Sequence, residues 1–159
     1  SSSAASDVYK RQSYVKALNQ ALNWTFGSQS AIQNNKNNPT TSQLIPDAKT
    51  NDLGVFSNLD YVVNDWSFLF GTRFDYRKIN AESNSFRNDF NALSTSLGFS
   101  KKINDHKLKF SYSSAFRTPH ISELLSDGVH HATKRYEVGD PNLIEEKGNQ
   151  LDLTYELVR

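Results

Sequence analysis

The chain has no cysteine and no methionine, and its net charge is only +1. Without cysteine there is no disulfide framework and no thiolate metal site. With charges so nearly balanced, there is no electrostatic case for a nucleic-acid partner. No apolar run approaches the roughly 18 residues of a membrane helix, and no signal peptide opens the sequence.

Aliphatic residues are scarce, whereas aromatic residues are not. Hydrophobic residues make up 36% of the chain, below the roughly 45–50% of ordinary globular proteins. Ten Phe and seven Tyr are nevertheless present. Strands of membrane barrels alternate polar and apolar residues and score poorly on hydropathy. This composition therefore does not exclude a membrane barrel.

The opening residues SSSAASDVYKRQ (1–12) resemble an adaptor-derived translation. We expect residues 1–12 to be a non-native or disordered leader and residues 13–159 to form one partial domain. Since methionine is absent, we also expect the sequence to be a piece of a longer protein.

The clearest pattern is a hairpin over residues 53–77. Asn64-Asp65 fits a two-residue turn, because both residue types tolerate a left-handed backbone. The register fixed by this turn pairs apolar residues on one face: Val63 with Trp66, Tyr61 with Phe68, Leu59 with Phe70, Val55 with Phe74 and Leu53 with Tyr76. The other face is mostly polar and pairs Asp52 with Arg77. Period-2 alternation of this kind predicts two strands with one wet side.

A second hairpin turns at Asn104-Asp105. It pairs Phe99 with Phe110, Leu97 with Tyr112 and Leu93 with Phe116, and it sets Lys102 opposite Lys107. Residues 16–27 (KALNQALNWTFG) and 149–157 (NQLDLTYEL) alternate in the same way, which brings the predicted strands to six.

Several of these strands are about ten residues or longer, which suits the roughly 9–11 residues of a transmembrane strand. Two-residue turns at 64–65 and 104–105 alternate with predicted loops at 27–52, 78–89 and 118–147. We therefore predict an all-β fold, an antiparallel transmembrane β-barrel fragment of about six strands with short periplasmic turns and long extracellular loops. The alternative is a soluble β-sheet domain that binds carbohydrate or serves adhesion.

The segments FRTPHISEL (116–124), DGVHH (127–131) and YEVGDPNLIEEKGNQLDLTYE (136–156) resemble the late-barrel signature of TonB-dependent outer-membrane receptors. Two departures from the family pattern are Asp140, where Asn is usual, and the absence of a proline between Leu143 and the acids. The matching residues are Phe116, Arg117, Pro119, Glu123, Leu124, Gly139, Pro141, Leu143 and Glu145.

This resemblance implies a receptor in the outer membrane of a Gram-negative bacterium that takes up a scarce nutrient, foremost an iron complex (siderophore or haem) or another metal. It implies three partners: outer-membrane lipid, a small nutrient ligand, and the TonB complex acting through a plug that we expect to lie outside this sequence. No enzyme activity and no resident cofactor are expected, so haem or metal enters only as transported substrate.

Two groups of side chains are candidate contacts. The first, in the loop after the FRTP motif, is His120, His130 and His131 with Arg117. These histidines are open to three interpretations: solvated or structural residues, haem or metal ligands, or polar contacts to another ligand. A His120–Ser122–Asp127 triad can be drawn, but no nucleophile elbow or oxyanion segment accompanies it. The second group is predicted to face the lumen, where it steers substrate or forms salt bridges: Asp60, Arg73, Asp75 and Arg77.

Overall fold

The computed structural model describes residues 4–37, 44–81, 85–130 and 134–157, with the backbone alone at residues 4–6 and at His130. Seven strands form one antiparallel sheet in the order β1-β2-β3-β4-β5-β6-β9, and β7 and β8 form a separate hairpin. The elements are β1 Ala4–Ala17, β2 Leu22–Lys36, β3 Ala48–Val63, β4 Trp66–Ala81, β5 Phe86–Ile103, β6 His106–Arg117, α1 Ile121–Leu125, β7 Asp127–His130, β8 Arg135–Val138 and β9 Glu146–Leu157. The predicted all-β antiparallel fold is confirmed. Among the described residues, no helix is both long and apolar enough to cross a membrane.

The β3–β4 hairpin has the predicted register along its whole length, from Val63 opposite Trp66 to Asp52 opposite Arg77 and beyond. The turn residue Asn64 has φ 51°, the left-handed conformation that asparagine tolerates better than most residues. A hairpin turn with this backbone matches the twist of its strands, and it fixes every later pair.

The β5–β6 hairpin follows its predicted register near the turn and leaves it further on. Phe99 lies opposite Phe110, and the like-charged Lys102 lies opposite Lys107. Pairing of the two strands ends at Thr95 opposite Ser114, so the predicted pair of Leu93 with Phe116 does not form. β6 continues along β9 instead, as far as Arg117 opposite Glu146.

Residues 16–27 are not one strand, contrary to the prediction. The backbone bends over residues 18–21, and the Asn19 side-chain oxygen accepts hydrogen bonds from the Ala21 and Leu22 amides at 2.8 and 2.9 Å. This side chain makes a turn between β1 and β2 in a stretch without glycine or proline. The predicted loops 27–52 and 78–89 are also too long, since β2, β4 and β5 extend into them.

The segment expected to be a leader belongs to the sheet in the described residues. β1 crosses the predicted boundary at residue 12 and pairs with β2 from Ala4 opposite Lys36 to Ala17 opposite Asn23. The expectation of disorder is therefore wrong for residues 4–12, and the main sheet has seven strands rather than six. A non-native origin of residues 1–12 stays a prediction.

The two faces of the sheet differ in chemistry. The face that carries Leu53, Phe68, Phe74 and Leu97, here called the outer face, leaves these apolar side chains 43–51% exposed. On β3 the apolar band of this face runs from Leu53 to Val63, which corresponds to about 25 Å of height for a strand tilted by about 40°. The opposite face, here called the inner face, is mostly polar. A sheet with these two faces suits lipid on one side and an aqueous lumen on the other.

Buried apolar side chains lie together at one end of the inner face. α1 packs there through Ile121 and Leu124, which are 3% and 1% exposed. The strands contribute Ala48, Ile79, Ala81 and Phe90, and partly buried Ile45, Phe86 and Leu125 pack around them. This small core anchors the segment between β6 and β9 onto the end of the sheet opposite the two-residue turns.

Candidate functional site

α1 begins immediately after the FRTP motif, and its start is fixed by a reciprocal cap. The His120 side chain accepts a hydrogen bond from the Ser122 amide at 3.3 Å, and the Glu123 carboxylate accepts one from the His120 amide at 2.7 Å. Both backbone donors would otherwise lack a partner at the helix start. The cap leaves His120 exposed on the outside of a helix whose other side is buried.

Arg117 ties α1 to the two strands beneath it. Its guanidinium donates to both oxygens of Glu123 at 2.7 and 3.0 Å, and to both oxygens of Glu146 at 2.9 and 3.0 Å. The Arg117 guanidinium and the His120 amide lower the pKa of Glu123 to about 2. Paired bidentate contacts of this type fix the guanidinium plane. The end of β6, the start of β9 and α1 are therefore held by one side chain.

The GDPNL segment (139–143) packs directly against α1. The Gly139 amide donates to the Ser126 carbonyl at 2.7 Å, and the Asp140 amide donates to the Glu123 carbonyl at 2.9 Å. A Cβ on Gly139 would lie 2.6 Å from main-chain atoms of Leu124 and Leu125, so only glycine fits here. Close contact with the main chain of α1 thus explains why this position of the motif is glycine.

The remaining motif residues mark the two ends of this packed segment. Pro119 is buried just before α1. Pro141 lies in a turn that Asp140 stabilises by accepting the Asn142 amide at 2.9 Å. Glu145 accepts the Asn91 amide of β5 at 3.3 Å, where β5 has already parted from β6. Leu143 is 38% exposed, in contrast to the buried Leu124.

Of the three histidines in the predicted group, the structure describes the side chain of His120 alone. His120 caps α1, His130 ends β7, and His131 lies outside the described residues. No group of three or more metal-ligating side chains occurs in the part of the chain that the structure describes.

The triad that can be drawn from the sequence does not form either. His120 Nδ1 lies 2.9 Å from the Ser122 hydroxyl, but the same nitrogen accepts the helix-start amide. Asp127 is engaged elsewhere, since its carboxylate accepts the Tyr136 hydroxyl at 2.6 Å and thereby raises the pKa of Tyr136. A catalytic base needs a carboxylate to orient it, and His120 has none from Asp127.

The predicted lumenal charges all lie on the inner face, and three of them are in ion pairs. Arg77 donates to both oxygens of Asp52 on the neighbouring strand at 2.6 and 2.9 Å. Arg73 donates to Asp75 at 2.5 and 2.7 Å. Asp60 lines the inner face nearer to the two-residue turns. Each of these two arginines is paired with a carboxylate.

Between these ion pairs, hydroxyl-bearing side chains line a trough of about 460 Å³ along the inner face. Its floor includes Gly71, where a Cβ would collide with Asn58 and Ser96. Small residues therefore leave room for the trough and keep its surface polar. Its lining includes Asn58, Thr72, Arg73, Ser94, Ser96 and Ser113.

Two contacts on the inner face have no counterpart in the predicted sites. The first is the bidentate contact of Glu146 with Arg117. Lys109 of β6 forms an ion pair with Glu156 of β9. Arg117 lies directly opposite Glu146, and Glu156 is two residues from the residue opposite Lys109. Correct pairing of β6 with β9 would therefore have predicted both contacts.

An apolar outer band, a polar inner trough and long antiparallel strands define a membrane β-barrel protein. A model of the family described as TonB dependent receptor-like, β-barrel, matches residues 2–158. The chain belongs to this family, whose members are receptors with a transport role in the outer membrane of Gram-negative bacteria. Members are embedded in the membrane and interact with TonB. A comparison with curated protein sequences gives no match.

Proposed function

We propose that this barrel serves the TonB-energised uptake of an iron complex, either a siderophore or haem, or of another metal. The observation that carries the proposal is the exposed ring of His120, held at the loop end of the barrel by the cap of α1 and the Arg117 ion pairs. A side chain fixed in this way needs little further ordering to contact a ligand.

The hydrogen bonds of His120 indicate what kind of contact it makes. Nδ1 accepts the Ser122 amide, so a neutral ring carries its proton on Nε2. His120 then offers an N–H donor rather than a free lone pair to the solvent side. Siderophore and haem complexes carry acceptor oxygens at their periphery, which suits such a donor. Direct ligation of iron is assigned to the sequence neighbours His130 and His131.

The TonB complex supplies the energy for uptake through a plug segment. We expect the polar trough of the inner face to be the surface along which a nutrient passes once the plug moves. The ion pairs of Arg73 and Arg77 give the trough balanced charge rather than a field of one sign.

Growth on a single iron or zinc source tests the proposal. Cells that depend on the whole receptor are grown with haem, a ferric siderophore or zinc as sole source, and they carry His120→Ala or the double change His130→Ala with His131→Ala. Loss of growth on haem alone in the double variant indicates iron ligation. Loss on the siderophore in His120→Ala indicates an N–H contact.

The fourth histidine supplies a matched control. His106 lies at the two-residue-turn end, where its ring stacks on Tyr155 at 5.7 Å and its Nδ1 lies 2.6 Å from the Tyr155 hydroxyl. Changing it to alanine is expected to leave growth on every source unchanged. If uptake of all three nutrients survives every loop-histidine change, the histidines are not ligand contacts.

A further inference from the structure

The β7–β8 hairpin is the only pair of strands in the described residues that stands apart from the main sheet. Its four residue pairs run from Asp127 opposite Val138 to His130 opposite Arg135. A two-stranded hairpin of this length is marginally stable at best in water. The hairpin belongs to the connection between β6 and β9, and in membrane barrels the long connections face the outside of the cell.

The hairpin is attached to the rest of the molecule at its base. The Asp127 amide donates to the Leu44 carbonyl at 2.9 Å, and the Gly139 amide donates to the Ser126 carbonyl at 2.7 Å. Towards the tip the side chains are exposed instead, and Tyr136 has 65% of its surface in solvent. The tip can therefore open while the base stays in place.

Two neighbouring basic residues, Lys134 and Arg135, lie at the tip of the hairpin. Both are exposed, and within the described residues neither is in an ion pair with a carboxylate. Lys134 has φ 54°, a left-handed conformation that lysine rarely adopts. Extension of the tip into the cleft of another protein would relieve this conformation. The tip thus presents two positive charges on a segment that is easily extended.

Every other lysine and arginine in the described residues lies in a strand of the main sheet. The other neighbouring basic pairs are Lys10-Arg11 in β1, Arg77-Lys78 in β4 and Lys101-Lys102 in β5. These strands have 14, 16 and 18 residues. A protease binds its substrate as an extended segment through main-chain hydrogen bonds, so it must first pull such a strand out of its ladder. At the hairpin tip it has at most four residue pairs to open.

We propose that the Lys134–Arg135 peptide bond is a processing site, cut at the cell surface by an endoprotease that recognises neighbouring basic residues. Such a protease carries carboxylates in pockets on both sides of its cleavage point, and these pair with the lysine and arginine heads. Water adds to the Lys134 carbonyl carbon and the bond to the Arg135 nitrogen breaks, which leaves a new carboxylate and a new amine. The site is independent of the nutrient transported.

The cut receptor is expected to stay folded, because the contacts that hold the two new ends do not pass through this bond. Before the bond, Leu124 is 1% exposed in the small core, and Glu123 is bound by Arg117. After the bond, Gly139 packs against α1, and β9 pairs with β6. The product is therefore a nicked barrel with α1 in place rather than a degraded protein.

The test maps cuts in the whole receptor by mass spectrometry of the new amino ends. Receptor purified in an uncharged detergent is treated briefly with trypsin, and receptor from cells that carry it naturally is analysed without added protease. We expect trypsin to cut first at the tip, leaving Arg135 or Tyr136 as the new amino end, and the cells to yield Arg135. The two fragments should migrate as one folded barrel on an unheated gel and separate after boiling.

Three variants separate the charge of the tip from its exposure. The change of Lys134→Gln with Arg135→Gln should slow cutting at the tip about a hundredfold, because truncation of one partner of a buried charge pair costs about that factor. The swap Lys134→Arg with Arg135→Lys keeps both charges and should be cut as wild type. The matched control Lys101→Gln with Lys102→Gln removes a basic pair from β5 and should leave cutting at the tip unchanged.

Three results would overturn the proposal. One is a first trypsin cut in a strand of the main sheet, which would mean that the hairpin tip is better protected than the ladder. Another is receptor from its natural cells without any Arg135 amino end. The third is a cellular cut at the tip that persists in the glutamine variant, which would mean that exposure alone and not the basic pair selects the site.

Discussion

The β3–β4 hairpin and the segment between β6 and β9 are held in opposite ways. The hairpin depends on one turn and a ladder of main-chain pairs that runs from Val63–Trp66 to Lys49–Asn80. Its outer side chains are exposed or half-buried, and none of them is fully enclosed by others. Contact with lipid and the repeated main-chain hydrogen bonds of the sheet therefore stabilise the hairpin along its whole length.

In the described part of 118–145 the helix and the two strands are short, and a few side chains hold the segment in place. α1 has five residues, too few to be stable without its contacts. Its position is set by the burial of Leu124, the close approach of Gly139 and the ion pairs of Arg117. Removal of one side chain should therefore lower local stability strongly in this segment and weakly in the hairpin.

The largest effect is expected from Leu124→Ala, because Leu124 is 1% exposed in the small core. Removal of a fully buried leucine side chain costs about 2–5 kcal/mol. We expect the free energy of local opening of α1 to fall by that amount, as measured by hydrogen exchange of its amides in detergent. Leu143→Ala is the matched control, since Leu143 is 38% exposed, and it should cost below about 1 kcal/mol. Equal effects of the two changes would contradict the proposed core.

The next effect is expected from Gly139→Ala. The added Cβ would meet main-chain atoms of Leu124 and Leu125, which cannot rotate away. We expect α1 to shift and its opening free energy to fall by about 1–3 kcal/mol. Gly148→Ala is the control, because a Cβ there meets nothing within 4 Å, and it should stay within about 0.5 kcal/mol. Unchanged exchange of α1 in Gly139→Ala would mean that the GDPNL segment does not pack on it.

A smaller effect is expected from Arg117→Gln, which leaves Glu123 and Glu146 facing each other. The Arg117 side chain is 52% exposed, so solvent screens these pairs and the loss of stability should be smaller than in Gly139→Ala. Arg117→Lys should lose most of the same energy, because a lysine cannot make the paired planar contacts. If Arg117→Lys behaves as wild type, charge alone and not geometry holds the segment.

The hairpins could be predicted from the sequence because their information is local. A turn such as Asn64-Asp65 fixes the register. Each apolar pair that this register produces then supports the position of the turn. The β1–β2 turn was missed because Asn19 makes it through its side chain without glycine or proline nearby. Leu93 and Phe116 were paired wrongly because the sequence does not show that β6 stops pairing with β5 at Ser114 while it stays paired with β9.

The loop segment could be predicted only in part. The family motif pointed to Arg117, Glu123, Leu124 and Gly139, but not to what each does. Ile79 and Phe90 alternate like other inner-face strand residues, so nothing in the sequence marks them as the floor under α1. The ion pairs of Arg117 could not be predicted because its two carboxylate partners are 6 and 29 positions away along the chain. The pairing of β6 with β9 brings Glu146 to it, and the packing of α1 brings Glu123.

The smallest expected effect is a dependence on pH. The pKa of Glu123 is lowered from 4.5 to about 2 by Arg117 and the His120 amide. A lowered pKa means that the ionised carboxylate stabilises the packed α1 fully above about pH 4.5, and that this contribution is lost as the pH falls towards 2. We therefore expect the protection of the α1 amides to be constant from pH 8 to pH 5 and to decline below it. Subtracting the same profile measured in Glu123→Gln isolates this carboxylate, because the glutamine cannot titrate. A wild-type profile parallel to that of Glu123→Gln from pH 5 to pH 2 would show that Glu123 does not hold α1 through its charge.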